Sequence, residues 1–194
     1  MTPREPSSSG LSIGLLGPLS VTVAGREVVI SDARRRDVLI RLALNEGRPL
    51  ESSRLVGSVW EGDVPAGAPN SLQAHVGYLR RQLGGEWLVT EGRAYRFDLT
   101  GVTVDSIEFE AEVAAARVAM EDLRAVEAVG LLRSALARWR GPVQIDVIDH
   151  SWGQAEGTES PRARWQATPN ATAWRGEVNF SRRPSPRDLT SCPP

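Results

Sequence analysis

The residues best placed to do chemistry lie in one stretch, Asn70-Ser-Leu-Gln-Ala-His-Val-Gly-Tyr-Leu-Arg-Arg-Gln-Leu83. Leu72, Val76, Leu79 and Leu83 recur at i, i+4, i+7 and i+11, which gathers them on one side of a 3.6-period helix. Asn70, Gln73, Ala74, Gly77, Arg80 and Arg81 fall on the other side. Amide and guanidinium groups are the side chains that pair bidentately with base edges, Asn or Gln with adenine and Arg with guanine. Ala74 and Gly77 keep the backbone thin where a groove would close around it. The chemistry on offer is therefore recognition of a DNA duplex. By itself the pattern also fits an ordinary amphipathic helix packed on a core, the commoner origin of such a stripe.

The segment C-terminal to this helix favours the duplex. Gly84-Gly85 is a helix stop. Trp87-Leu-Val-Thr90 and Ala94-Tyr-Arg-Phe-Asp-Leu99 read as two short strands around a Glu91-Gly92-Arg93 turn. A helix followed by a hairpin with arginine at its tip is the outline of a winged helix. Arg93, with Arg96 beside it, would reach phosphate or the adjacent minor groove.

The preceding elements must hold that helix in place. Leu11–Leu16, Leu19–Val23 and Glu27–Ile30 are β-type runs separated by Gly17-Pro18 and Ala24-Gly25-Arg26, so a small antiparallel sheet is expected. Ala33 to Leu44 reads as a helix capped by Asp32. Its Arg34, Arg35 and Arg36 face either a polyanion or solvent. Ser52 to Trp60 is a second helix, in which Gly57 costs on the order of 1 kcal/mol relative to alanine. A Pro/Gly loop then leads to Asn70, the expected cap of the recognition helix.

The character changes after Gly101. Asp105-Ser-Ile-Glu108 has the capping-box pattern. Helices are expected to about Met120 and from about Leu123 to Trp139. Ile107, Phe109, Val113 and Met120 are the larger residues of the first; Val126, Val129, Leu132, Leu136 and Trp139 are carried by the second. The pair resembles one tetratricopeptide-like repeat. The expected fold class is α+β: a winged helix-turn-helix with an N-terminal antiparallel sheet and a C-terminal hairpin, then an all-α segment. Four segments result: a disordered leader (1–10), a DNA-binding domain (11–100), a partial helical domain (105–156) and a disordered or aberrant tail (157–194).

Composition bounds the function. With 194 residues and 41% hydrophobic content the chain can build a core. All 23 basic residues are arginine, yet the net charge is -1, so any attraction for DNA must come from local placement. Residues 1–100 carry 12 arginines against 11 acids, whereas residues 105–156 carry 5 against 10. The single cysteine, Cys192, excludes an internal disulfide, and no Cys/His cluster suggests a metal. The two histidines, His75 and His150, lack a partnered nucleophile, and neither a Walker loop nor a dinucleotide fingerprint occurs. No enzyme activity, cofactor, secretory signal or membrane span is expected, which implies a cytoplasmic protein.

Residues 11–156 resemble the SARP-type regulators of actinobacteria, which join an OmpR-like winged helix to a bacterial transcriptional activation domain. The matching pieces are Gly14-Leu-Leu-Gly-Pro-Leu19, Arg48-Pro-Leu50, Arg54-Leu55 through Val59-Trp60, Asn70-Ser-Leu-Gln73, Val76 with Leu79-Arg-Arg81, and Leu83-Gly84. Leu88-Val89-Thr90 and Tyr95 match in the wing. Asp105, Phe109, Leu131-Leu132, Leu136, Trp139-Arg-Gly-Pro142 and Trp152-Gly-Gln-Ala-Glu156 match beyond it. The resemblance implies binding to promoter direct repeats as dimers or tandem protomers. It also implies recruitment of RNA polymerase and activation of a secondary-metabolite gene cluster.

Three positions depart from the family pattern. Pro69 stands where a basic residue is usual, and Gly77 and Tyr78 stand for serine and arginine. Each removes a polar or cationic group near the expected interface. The family's helical domain also runs on beyond the Trp152 segment, whereas Pro-rich sequence begins here near residue 158, as a truncation or frame change would give. Residues 105–156 are accordingly expected to be less stable than 11–99. A protein-docking module with little DNA affinity, or a nonfunctional remnant, are the alternatives.

Overall fold

A computed structural model describes residues 10–60, 62, 64–84 and 87–140, all within one compact unit spanning Met1–Ala155. The expected leader (1–10), except Gly10, and the expected tail (157–194) lie outside the described residues. The architecture is α+β. A four-stranded sheet comes first, three helices and a three-stranded sheet follow, and a helical hairpin comes last.

The first sheet has the order β3-β2-β1-β7, built from β1 (Leu11–Gly14), β2 (Ser20–Val23), β3 (Arg26–Glu27) and β7 (Val102–Val104). The three N-terminal strands are antiparallel as expected. The addition of β7, parallel to β1 with Leu11 opposite Val102, is not visible in the local sequence. Alternation places Leu11, Ile13 and Val21 in the core. β1 ends at Gly14 rather than Leu16 for a specific reason. The Leu15 and Leu16 N–H groups leave the ladder and donate to the Asp105 carboxylate at 2.6 and 3.0 Å.

α1 (Ala33–Leu44) is capped by Asp32, which accepts from the Arg35 N–H at 2.9 Å. It buries Val38, Leu39 and Leu42. α2 (Ser52–Val59) buries Leu55, Val56 and Val59. α3 (Ala68–Leu83) buries Leu72, Val76, Leu79 and Leu83, as their spacing requires. At roughly 2 kcal/mol for each such side chain, this seam is the main force holding the helix to its scaffold.

α3 starts two residues before the expected cap. Gly67 precedes it, and Pro69 sits in the first turn, where a missing N–H costs nothing. Asn70 is thus inside the helix and exposed, not its cap. The left-handed Gly84 (φ 72°) ends the helix, with its N–H donating to the Arg80 carbonyl at 3.1 Å.

The second sheet has the order β4-β6-β5, from β4 (Leu50–Glu51), β5 (Leu88–Glu91) and β6 (Ala94–Phe97). β4 makes the expected hairpin a three-stranded wing sheet, with Leu50 opposite Tyr95.

The helical hairpin consists of α4 (Asp105–Glu121) and α5 (Ala125–Ala137). Its start corrects the capping-box expectation. Asp105 is the first helical residue, its carboxylate is spent on Leu15 and Leu16, and no side chain caps the helix. Phe109 is buried and meets the partly exposed Trp139 ring edge-on, but Met120, Val126, Val129 and Leu136 face outward, with Leu123 and Val126 each 90% exposed. The two helices meet through Ala116, Ala119 and Ala128, backed by Leu131 and Leu132. Small residues bring the helices close, and the larger ones are left outside. Arg138 reinforces the pair. Its guanidinium donates to Glu112 at 2.8 and 3.1 Å and also bonds Glu108. These bonds hold the Glu112 carboxyl below its ordinary pKa. No helix among the described residues is long and apolar enough to cross a membrane.

Candidate nucleic-acid interface

Opposite its buried seam, α3 presents Asn70, Gln73, Ala74 and Arg81 exposed, with Gly77 half-buried between them. These residues form one continuous stripe because they repeat at three and four positions. Gly77 leaves room for its neighbour. The Arg81 guanidinium lies back over it, 3.7 Å from where a β-carbon would stand. Arg81 has no acidic partner among the described residues, so its charge is open to a polyanion.

Arg80 is placed differently. It is half-buried, its Nε donates to the Leu88 carbonyl at 2.8 Å, and its Nη2 donates to the Thr90 hydroxyl at 2.7 Å. It ties α3 to the first wing strand. Its sequence position, beside Leu79 and one turn before Leu83, is at the edge of the apolar seam. That is the signal that could have separated it from Arg81.

The wing brings Arg93 to its tip. Glu91 pairs with Ala94 across a two-residue turn in which Gly92 adopts φ 60°. The Arg93 side chain is exposed, while its carbonyl accepts from the Ser52 N–H at 2.8 Å and from the Ser52 hydroxyl. The start of α2 therefore fixes the wing tip. Arg96 is half-buried on β6 and bonds Glu91, with Asp98 4.0 Å away. The Glu91 hydrogen bond raises its pKa, so its charge is already balanced within the wing.

Of the arginines at the start of α1, Arg34 and Arg35 brace the three-helix core, and Arg36 turns back onto the chain before the helix. Arg34 donates to the Val59 carbonyl and lies 5.9 Å from the Trp60 ring. Arg35 sits 3.8 Å over the Tyr78 ring, a cation–π contact. Arg36 donates to the Ser31 carbonyl at 3.0 Å. Trp60 in turn stacks on His75, with centroids 5.8 Å apart. Burial lowers the His75 pKa, with Arg35 and Arg34 adding to the effect and Asp32 opposing it. Tyr78, which departs from the family pattern, thus has a partner of its own in Arg35. The sequence reading missed Ser52, Thr90 and Tyr78 because each works through a contact distant in the chain.

Residues 25–97 match the family of C-terminal domains of transcriptional regulatory proteins, and residues 104–181 match the bacterial transcriptional activator domain. The chain thus carries, in this order, a match to each of two domains of transcriptional regulators, and it is homologous to the regulators EmbR, RedD and AfsR. The transcriptional regulatory protein EmbR of Mycobacterium tuberculosis is 36% identical over 145 residues, covering 72% of this chain and 37% of that protein. The transcriptional regulator RedD of Streptomyces coelicolor is 30% identical over 146 residues, covering 70% and 41%. The solved structure of Mycobacterium tuberculosis EmbR in complex with a low affinity phosphopeptide superposes with a TM-score of 0.68 at 31% identity. It covers 86% of this chain and 42% of that one. The chain thus spans well under half the length of these relatives.

Proposed function

We propose that this chain is a SARP-type, sequence-specific, double-stranded DNA-binding regulator of transcription. It acts as an activator, and α3 is its reading element. The observation that carries this reading is the exposed stripe of Asn70, Gln73, Ala74, Gly77 and Arg81 on a helix pinned from behind by leucine and valine. In a major groove, Asn70 and Gln73 suit adenine edges, and Ala74 suits a thymine methyl. Arg81 suits guanine or phosphate, and Arg93 reaches the phosphate or minor groove beside the wing. Arg80 positions the helix through the wing strand, and Arg96 stiffens the wing. The targets are direct repeats near a promoter, occupied by paired protomers. The helical part contacts RNA polymerase, and the setting is the cytoplasm. The role needs no cofactor and no catalytic step.

The departures at Pro69 and Gly77 remove two polar groups from the face, so affinity is expected to be modest. A second reading, a protein-docking module with little DNA affinity, is favoured by one observation: the outward Leu123 and Val126. One experiment separates the two. The full chain is used to select duplexes from a random pool, and affinity for the enriched duplex is then followed against salt. The DNA reading expects enrichment of a defined motif and binding that falls steeply with added salt. No enrichment, or binding indifferent to salt, favours the docking module.

A further inference from the structure

The open end of the α4–α5 hairpin is fastened to the first sheet at both of its legs. At the start of α4, the Asp105 carboxylate takes the Leu15 and Leu16 N–H groups at 2.6 and 3.0 Å. Just past the end of α5, the Arg140 N–H donates to the Leu16 carbonyl at 2.7 Å. Its guanidinium donates to the Pro18 carbonyl at 3.1 Å and meets Asp105 at 3.4 Å. One turn of backbone, 14–18, is therefore gripped from both sides by two residues 35 positions apart. Gly14 makes the grip possible, since a β-carbon there would collide with the Arg140 guanidinium and the Ser20 hydroxyl.

Neither side chain is needed to hold the helices to each other, because Arg138, Glu108 and Glu112 already do that. Nor does either approach the reading face of α3. β7 runs directly into α4 and Ile107 packs on the main core, so the base of α4 is already placed; what the pair adds is a hold on the end of α5, and with it on the angle at which the hairpin leaves the sheet. At about 1.5 Å of rise per residue, α4 is a lever of about 25 Å, so a change of about 10° at its base moves its tip by about 4 Å. A displacement of that size is enough to misplace a protein-docking surface relative to bound DNA.

The geometry points to Asp105 and Arg140 as a clamp that sets the angle of the helical hairpin on the DNA-binding part, so that transcriptional output depends on it and DNA affinity does not. Asp105 and Arg140 are positioning residues, and Gly14 is the vacancy that admits the guanidinium. The dependence of output on the clamp rests on the function proposed above; the clamp itself does not.

Spin labels at Ser53→Cys on α2 and Val126→Cys on α5, in the full chain carrying Cys192→Ser, report the angle as a distance distribution. The parent is expected to give one narrow distribution. Arg140→Ala and Gly14→Ala should each broaden it severalfold, while leaving affinity for the selected duplex within about twofold and cutting output from a reporter carrying that duplex by severalfold. Unchanged distributions in both variants would overturn the clamp. Broadened distributions with full output would overturn its role in activation, and so would parallel loss of affinity and output, which marks a merely structural part. Should the parent select no duplex, the DNA reading fails, and the distance distributions still decide the clamp.

Discussion

Two neighbouring arginines on α3 have opposite fates, and their variants should differ accordingly. Arg81 is exposed and lies over Gly77, whereas Arg80 spends its donors on Leu88 and Thr90. Arg81→Ala is expected to weaken duplex binding without changing the melting temperature, and to reduce the slope of log affinity against log salt by about one if the contact is to phosphate. Arg80→Ala is expected to lower stability by about 1 kcal/mol in urea unfolding, the usual scale for such hydrogen bonds, as well as to weaken binding. Equal melting temperatures for the two variants would remove the distinction. The sequence placed both residues on the polar side of the helix. It could not tell them apart, because the partners of Arg80 lie on a strand whose position depends on the whole fold.

At the scale of elements, α3 stands on its apolar seam. Leu79→Ala should cost about 3 kcal/mol in chemical unfolding and remove DNA binding with it, since Leu79 is fully buried. The seam was legible from its spacing, as were the wing hairpin and the Asp32 cap. Other features were not. β7 joins β1 from about ninety positions away, and β4 joins β6 through a two-residue strand, so neither leaves a local pattern. Asp105 carries a capping signature in sequence but serves two distant N–H groups, because the turn at 14–18 needs acceptors and a cap can be dispensed with. The α1, α2 and α3 contact around His75 also has a pH signature. Burial lowers the His75 pKa in the fold, so the unfolded chain binds the proton more readily. Stability should be complete above the unfolded value of about 6.5 and fall as pH drops below it, and His75→Phe should flatten that decline. A melting temperature that stays constant from about one pH unit above that value to about one below it would contradict this.

At the scale of the molecule, the winged-helix part has a continuous core from Leu11 to Val104, whereas the hairpin meets through three alanines and two half-buried leucines. Larger apolar residues of α5 lie outside. Amide hydrogen exchange is therefore expected to be slower in α1 and α3 than in α4 and α5; equal protection would contradict the difference in packing. The change of character after Gly101 could be read from composition, since the acidic balance and small residues begin there. The join between the parts could not, because Arg140 and Asp105 meet through residues 14–18.

The exposed stripe of α3, with the tip of the wing, is the surface proposed to meet DNA, and every other functional assignment depends on it. Backbone amide NMR shifts of the full chain, titrated with the duplex it selects, test this most directly. The largest changes should fall at residues 70–82 and 91–94, with residues 105–140 nearly silent. Changes concentrated in α4 and α5, with Gln73 and Arg81 unmoved, would contradict the account.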